Sequence, residues 1–210
     1  MTKIVPALLV KTAQEYHDKI RLVRQLTDRY QLDVIDPEYA DNPTLDLGDI
    51  EPRLDLQCDV HIMSFRPQHY IESALRLRPH MVILQFEQAE NIEACIASIK
   101  RRGTVKVGLA INPQTEVESV AHLFTELDHI LIMAYSAGFA GQKLQPKILK
   151  KVAHVRELAP NVEVGLDGGV SDETLARIAK CHFDVVNVNS FLFQSDDVLG
   201  RYSKLLEELS

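Results

Sequence analysis

Two aspartates and a histidine stand near the ends of short apolar runs, where acid–base or metal chemistry could be assembled. Asp33 lies in Leu32-Asp-Val-Ile-Asp36, His61 in Leu56-Gln-Cys-Asp-Val-His-Ile-Met63, and Asp167 ends Asn161-Val-Glu-Val-Gly-Leu-Asp167. Two carboxylates and an imidazole brought to one place make either a proton-transfer site or a seat for a divalent metal. Taken singly, each has a structural reading as well. A strand histidine serves as a hydrogen-bonded core residue, and an aspartate at a strand end serves as a cap or turn residue. Asp36 and Gln85 also fall at strand ends. The functional reading therefore rests on coincidence: the same end of the same fold must hold all of them.

A second group is made of glycines late in the chain. Gly138, Gly141, Gly168 and Gly169, with Asn189-Ser190, follow the sixth, seventh and eighth apolar runs. Glycine admits positive φ and close backbone approach, so paired glycines after a strand can aim N–H groups at an anion without any Lys or Arg. Tight loops alone would also use them. Together with the acids, they favour a phosphorylated small molecule.

The elements that must position these residues repeat. Apolar strand-like runs occur at Ile4–Val10, Leu32–Asp36, Leu56–Met63, Met81–Gln85, Val105–Ile111, Ile130–Met133, Val162–Leu166 and Asp184–Val188. Stretches with helical spacing lie between them, at 12–30, 67–77, 89–102, 117–127, 146–158 and 172–179, with a last one at 196–209. A long polar loop follows the second run at 37–43, and 46–54 suits a short helix at most. Alternation in the second run puts Asp33 and Ile35 on one face and Leu32, Val34 and Asp36 on the other; in the third, Asp59, His61 and Met63 share a face. Strand-then-helix units about 25 residues apart predict parallel βα architecture. A closed (β/α)₈ TIM barrel formed as one domain over residues 1–210 is the expected fold. A doubly wound sheet would place a glycine fingerprint after the first strand, where Val10-Lys11-Thr12 has none. In a barrel, sites form at the C-terminal strand ends, where Asp33, His61, Gln85 and Asp167 would meet.

Composition sets limits on this. The net charge of −7 argues against a nucleic-acid or anionic-membrane surface. The three cysteines, Cys58, Cys95 and Cys181, show neither zinc spacing nor a disulfide framework. No apolar run approaches membrane-span length, and the N-terminus has no secretory pattern. A cytoplasmic protein is expected.

The motifs match a family along nearly the whole chain. Leu32–Asp36 with Asn42-Pro43-Thr44, Asp59–Met63, Lys106–Pro113, Met133 with Gly138-Phe-Ala-Gly-Gln-Lys143, and Val164–Val170 resemble, in order, those of ribulose-phosphate 3-epimerase. The resemblance implies 1,1-proton transfer at C3 of a ketose phosphate, D-ribulose 5-phosphate by default, on a (β/α)₈ barrel. It implies Asp33 and Asp167 as the two acid–base groups, and a divalent metal (Zn, Mn, Fe, Co or Mg) held by Asp33, His61 and Asp167. It further implies Met63 and Met133 packing over the substrate, a phosphate cradle from Gly138, Phe139, Ala140, Gly141, Gly168, Gly169, Asn189 and Ser190, and a homo-oligomer.

The chain also departs from the pattern. Gln31 stands where the family has a metal-ligating histidine, Gln85 where it has another histidine, and Ala7 where it has a substrate-contacting serine. Pro37, Ala140 and Asn189 replace glycines, and Ile35 replaces a methionine. A neutral amide binds zinc less well than imidazole. Gln31 is thus at most a weak ligand: either the other three hold an ion, a harder one such as manganese included, or the metal is lost. Three functions follow. One is an active epimerase. Another is a diverged enzyme on a different sugar phosphate, although no lysine ends a strand to support Schiff-base or decarboxylase chemistry. The third is a non-catalytic phosphosugar-binding barrel.

Overall fold

The computed structural model describes residues 1–87, 89–135 and 146–209. Its strands are β1 (Lys3–Leu8), β2 (Arg29–Ile35), β3 (Gln57–Met63), β4 (Met81–Gln85), β5 (Lys106–Ile111), β6 (His129–Met133), β7 (Glu163–Asp167) and β8 (Val185–Val188). All neighbours pair in parallel and β8 closes on β1, so the sheet is a complete eight-stranded barrel. The helices are α1 (Ala13–Leu26), α2 (Gln68–Arg76), α3 (Ile92–Lys100), α4 (Pro146–Leu158), α5 (Leu175–Ala179), α6 (Ser190–Phe193) and α7 (Val198–Leu209). The expected (β/α)₈ fold is the one found.

Strand alternation divides the side chains as the sequence predicts. Leu32, Val34, Val60, Ile62, Val82, Leu84, Ile130 and Ile132 face outward into the large core beneath the helices. Ile35, Met63, Met81, Ile83, Ala110, Leu131 and Met133 face the barrel interior. Each fully buried aliphatic side chain contributes about 1.5–3 kcal/mol, so this double layer carries most of the stability. Thr12 caps α1 as expected, accepting from the Glu15 N–H at 3.1 Å, which is worth about 1 kcal/mol.

The floor of the barrel is charged. Arg29 is buried at the start of β2 and donates to Asp59 at 2.7 Å and to Glu163 at 2.9 and 3.2 Å. His129 completes the layer, with Nδ1 2.9 Å from Glu163. Gly165 leaves the space its imidazole fills, since a Cβ there would fall 2.7 Å from the ring. This closed layer separates the site above from solvent below.

Two elements differ from expectation, and the stretch read as a short helix at most is a short helical turn. The stretch expected as a helix over 117–127 is two 3₁₀ turns, Val117–Ser119 and Ala121–Glu126. Its buried residues, Val117, Val120, Leu123, Phe124 and Leu127, keep the mixed three-and-four spacing of an amphipathic helix, so the apolar pattern does not account for the tighter winding. The uncertain stretch after β2 is a single 3₁₀ turn, Leu47–Asp49, capped by Asp46. The helix expected from 172 begins only at Leu175, because the Thr174 hydroxyl donates to Gly169 O at 2.8 Å and accepts from Ser171 N–H at 2.8 Å, holding 171–174 as a turn. Among the described residues, no helix is long and apolar enough to cross a membrane.

Candidate active site

The barrel closure brings four strands' polar residues to one mouth. Asp33 and His61 are register neighbours on β2 and β3. Asp167 ends β7 and is paired with Asn187 on β8. Gln31 lies two residues before Asp33, on the same inward face, paired with Ala7 of β1. All of them are buried. The three predicted groups meet: one donor atom each from Asp33, His61 and Asp167 lie within 4.8 Å of one another.

Gln31 is the centre of this arrangement. Its Nε2 donates to Asp33 Oδ1 at 2.8 Å and to Asp167 Oδ2 at 2.7 Å. Its Oε1 in turn accepts from Asn187 Nδ2. That last bond spans from β8 to β2 across β1, whose inward residue there is the small Ala7. Asn187 is the residue that motif reading overlooked. The signal was present as one polar residue alternating between the apolar Val186 and Val188, but nothing in the sequence says which of the other strands it addresses.

His61 faces the same two oxygens, with Nδ1 3.5 Å from Asp33 Oδ1 and 3.8 Å from Asp167 Oδ2. Those separations are too long for good hydrogen bonds, and Nδ1 is a buried atom without a hydrogen-bond partner among the described residues. The other ring nitrogen, Nε2, is 3.0 Å from Gln85 Oε1. Gln85 is oriented by donating its amide to Glu87, which also accepts from the Asn112 N–H at 2.7 Å. With Nε2 donating to Gln85, Nδ1 is the ring nitrogen that faces the carboxylates, and in the neutral ring it would direct its lone pair between them. Gln85, expected at the strand ends, is a hydrogen-bond partner of His61.

The residues fit a divalent ion. Asp33, His61 and Asp167 offer one imidazole nitrogen and two carboxylate oxygens close enough together to hold one ion. Ligands sharing one tetrahedral ion at about 2.1 Å lie roughly 3.4 Å apart, close to the spacings His61 shows. Burial pushes the Asp167 carboxyl up to about 7, and the Asp33 charge adds to the rise, against the opposing pull of His61 and Gln31. Burial opposes protonation of His61, but the neighbouring carboxylates outweigh it and raise the imidazole's proton affinity.

Other predicted residues are placed as follows. Met63 and Met133 end β3 and β6 on the inner face, buried below the mouth. Gly168 and Gly169 follow Asp167 with φ of +80° and +69°, the left-handed backbone expected of them. Asn189 precedes α6, and its Nδ2 donates to Ala7 O at 2.9 Å, tying the end of β8 to β1. Ser190 opens the short helix α6. Asp36 is turned aside, accepting from Ser64 Oγ at 2.7 Å and from Glu38 N–H at 2.8 Å. Gly138, Phe139, Ala140 and Gly141 lie outside the described residues.

Comparison with known proteins bears on the family and the fold. A family model described as the ribulose-phosphate 3 epimerase family matches residues 3–193. The ribulose-phosphate 3-epimerase of Bacillus subtilis (strain 168) is 28% identical over 206 residues, 94% of each chain. That of Buchnera aphidicola subsp. Baizongia pistaciae is 31% identical over 188 residues, covering 85% of this chain and 82% of its own. Among solved structures, 3-hexulose-6-phosphate synthase from Salmonella typhimurium superposes with a TM-score of 0.74 at 17% identity, over 99% of this chain and 98% of that one. Phosphoribosyl anthranilate isomerase from Thermus thermophilus gives 0.68 at 13% identity, over 99% of this chain and 98% of that one. At such identities these two speak for the fold alone.

Proposed function

The chain belongs to the ribulose-phosphate 3-epimerase family, and on that premise we propose that it inverts C3 of a ketose phosphate, D-ribulose 5-phosphate to D-xylulose 5-phosphate, by proton transfer between Asp33 and Asp167. The observation that carries the proposal is the pair itself. Two buried carboxylates are held by one amide nitrogen at 2.7 and 2.8 Å, with an imidazole facing the same oxygens. Inversion at carbon needs two groups, one to remove a proton and one to return it to the other face.

Gln31 binds one oxygen of each carboxylate; the second oxygen of each is the atom assigned to the C3 proton. Asp33 takes that proton, the C–H electrons become the C2–C3 double bond, and the C2 carbonyl π electrons move onto its oxygen to give an enediolate. Protonated Asp167 then gives its proton to the opposite face of C3, and the double bond returns to the carbonyl. One turnover leaves the proton on the other carboxylate, and the reverse reaction or solvent exchange restores it. The raised proton affinity of Asp167 suits it to the acid role at neutral pH.

Asp33, His61 and Asp167 would hold a divalent ion, and such an ion supplies polarisation of the C2 carbonyl, which makes the C3 proton acidic enough to remove. Gln85 and Glu87 keep the His61 ring in the tautomer such a role requires. Met63 and Met133 give the sugar an apolar floor that excludes water. The backbone at Gly168 and Gly169, with Ser190 at the start of α6, takes the phosphate.

The test is direct. The purified protein is incubated with D-ribulose 5-phosphate, and D-xylulose 5-phosphate is measured by a coupled assay, with Asp33→Asn and Asp167→Asn as controls. Product from the natural chain and none from either variant supports the proposal. A phosphosugar that binds without turning over would mark a non-catalytic barrel.

A further inference from the structure

We propose that the side-chain amides of Gln31 and Asn187 reverse together when a divalent ion enters the site, so that Gln31 presents Oε1 as a fourth ligand and Asn187 is the positioning residue that holds it there. This rests on the metal reading given above.

The geometry around Gln31 is that of a ligand with the wrong atom forward. Its terminal nitrogen touches Asp33 Oδ1 and Asp167 Oδ2, the same oxygens that His61 Nδ1 faces. Four atoms from four side chains thus surround one point. An amide nitrogen has no lone pair for a cation, but the amide oxygen has two. A half-turn about the last side-chain bond exchanges them without moving the rest of Gln31.

The far end of the amide shows what such a half-turn requires. Gln31 is fully buried and Asn187 is 2% exposed, so neither can exchange partners with bulk water. Gln31 Oε1 now accepts from Asn187 Nδ2, while Asn187 Oδ1 is buried without a partner among the described residues. If both amides reverse, Gln31 Nε2 meets Asn187 Oδ1 and that acceptor is satisfied. Gln31 Oε1 then faces the carboxylates.

The ion decides between the two orientations. With no cation, Oε1 would stand against two carboxylate oxygens, acceptor against acceptors, and the orientation with Nε2 forward holds the acids together. With a cation between them, two N–H donors become superfluous and one more oxygen becomes favourable. The resulting set is three oxygens and one nitrogen, harder than a set with two imidazoles, and it selects for manganese-like ions over zinc. Gln31 is then more than a weakened remnant of a histidine, and Asn187 acts on the ion through it.

Two measurements with Mn²⁺ as the probe test this. Crystals of the full chain grown with Mn²⁺ should show the terminal atom of Gln31 within about 2.3 Å of the ion, a place its amide nitrogen, a donor with no acceptor capacity, cannot take. Calorimetric Mn²⁺ binding should weaken about tenfold or more in Asn187→Leu, as when a group orienting a ligand is lost. It should recover in Asn187→Asp, whose carboxylate accepts from Gln31 Nε2. An ion bound by Asp33, His61 and Asp167 with Gln31 more than about 3 Å away, or Mn²⁺ affinity unchanged in Asn187→Leu, overturns the inference and leaves the metal reading standing. No ion at those three residues overturns both.

Discussion

The side-chain nitrogen of Gln31 lies 2.7 Å from Asp167 Oδ2, a bond that joins β2 to β7 and links the two carboxylates assigned to proton transfer through one amide. A histidine in its place would be an imidazole ligand in the same position. We predict that Gln31→His raises Zn²⁺ affinity at least tenfold, measured by competition with a chelating dye. Unchanged Zn²⁺ affinity would show that position 31 does not reach the metal seat.

Asp167→Asn should abolish C3 proton exchange, by about a thousandfold or more, while a phosphate-bearing analogue still binds. The same variant carries a stability signature. The Asp167 carboxyl is raised from an ordinary unfolded value of about 4 to about 7, so the folded protein binds more protons than the unfolded one between those values. Stability therefore falls as pH rises through that window. Asp167→Asn removes the buried charge, and its melting temperature at pH 8 should equal or exceed that of the natural chain. Joint loss of binding and stability would mark Asp167 as structural.

Glu163 in the barrel floor has the opposite sign. Burial alone would raise its carboxyl, but His129 and Arg29 outweigh it and hold it well below the usual carboxylate range. Its stabilisation is present above the unfolded value of about 4.3 and is lost as pH falls through the folded value. Glu163→Gln should cost about 3 kcal/mol at pH 7, with the difference shrinking in urea melts below about pH 4. A penalty independent of pH would mean that packing, not charge, sets the role of Glu163.

Gly168 combines φ of +80° with a close neighbour, since a Cβ there would run into the Tyr135 hydroxyl. Gly168→Ala should destabilise by about 2 kcal/mol or more, from left-handed strain and overpacking together, and should weaken phosphate binding. A melting temperature unchanged from the natural chain would contradict this.

Much of this was legible in the sequence, for reasons that also explain what was not. Period-two alternation is rigid, so the side-chain direction of Asp33, His61 and Met63 followed from spacing alone, and parallel register placed them together. Partnerships across the barrel have no such local rule. Gln31 and Asn187 are 156 residues apart on strands that do not pair, and their contact depends on barrel closure over Ala7. Gln85 was placed among the polar strand ends because its type was legible, but its partner His61 was not. The stretch 117–127 buries Val117, Val120, Leu123, Phe124 and Leu127 at an α-like spacing yet winds as 3₁₀ turns, so periodicity located the helical segment but not its type. The turn at 171–174 was set by the Thr174 hydroxyl, whose bond to Gly169 O a sequence pattern does not specify.

The most direct test of the central claim follows the C3 proton itself. The protein, with and without added Mn²⁺ or Zn²⁺, is placed with D-ribulose 5-phosphate in deuterated water and the C3 signal is followed by NMR. The assignment of Asp33 and Asp167 predicts loss of the C3 proton signal together with the appearance of C3-deuterated D-xylulose 5-phosphate, and neither in Asp33→Asn or Asp167→Asn. A C3 proton retained in the natural chain under every metal condition would contradict it.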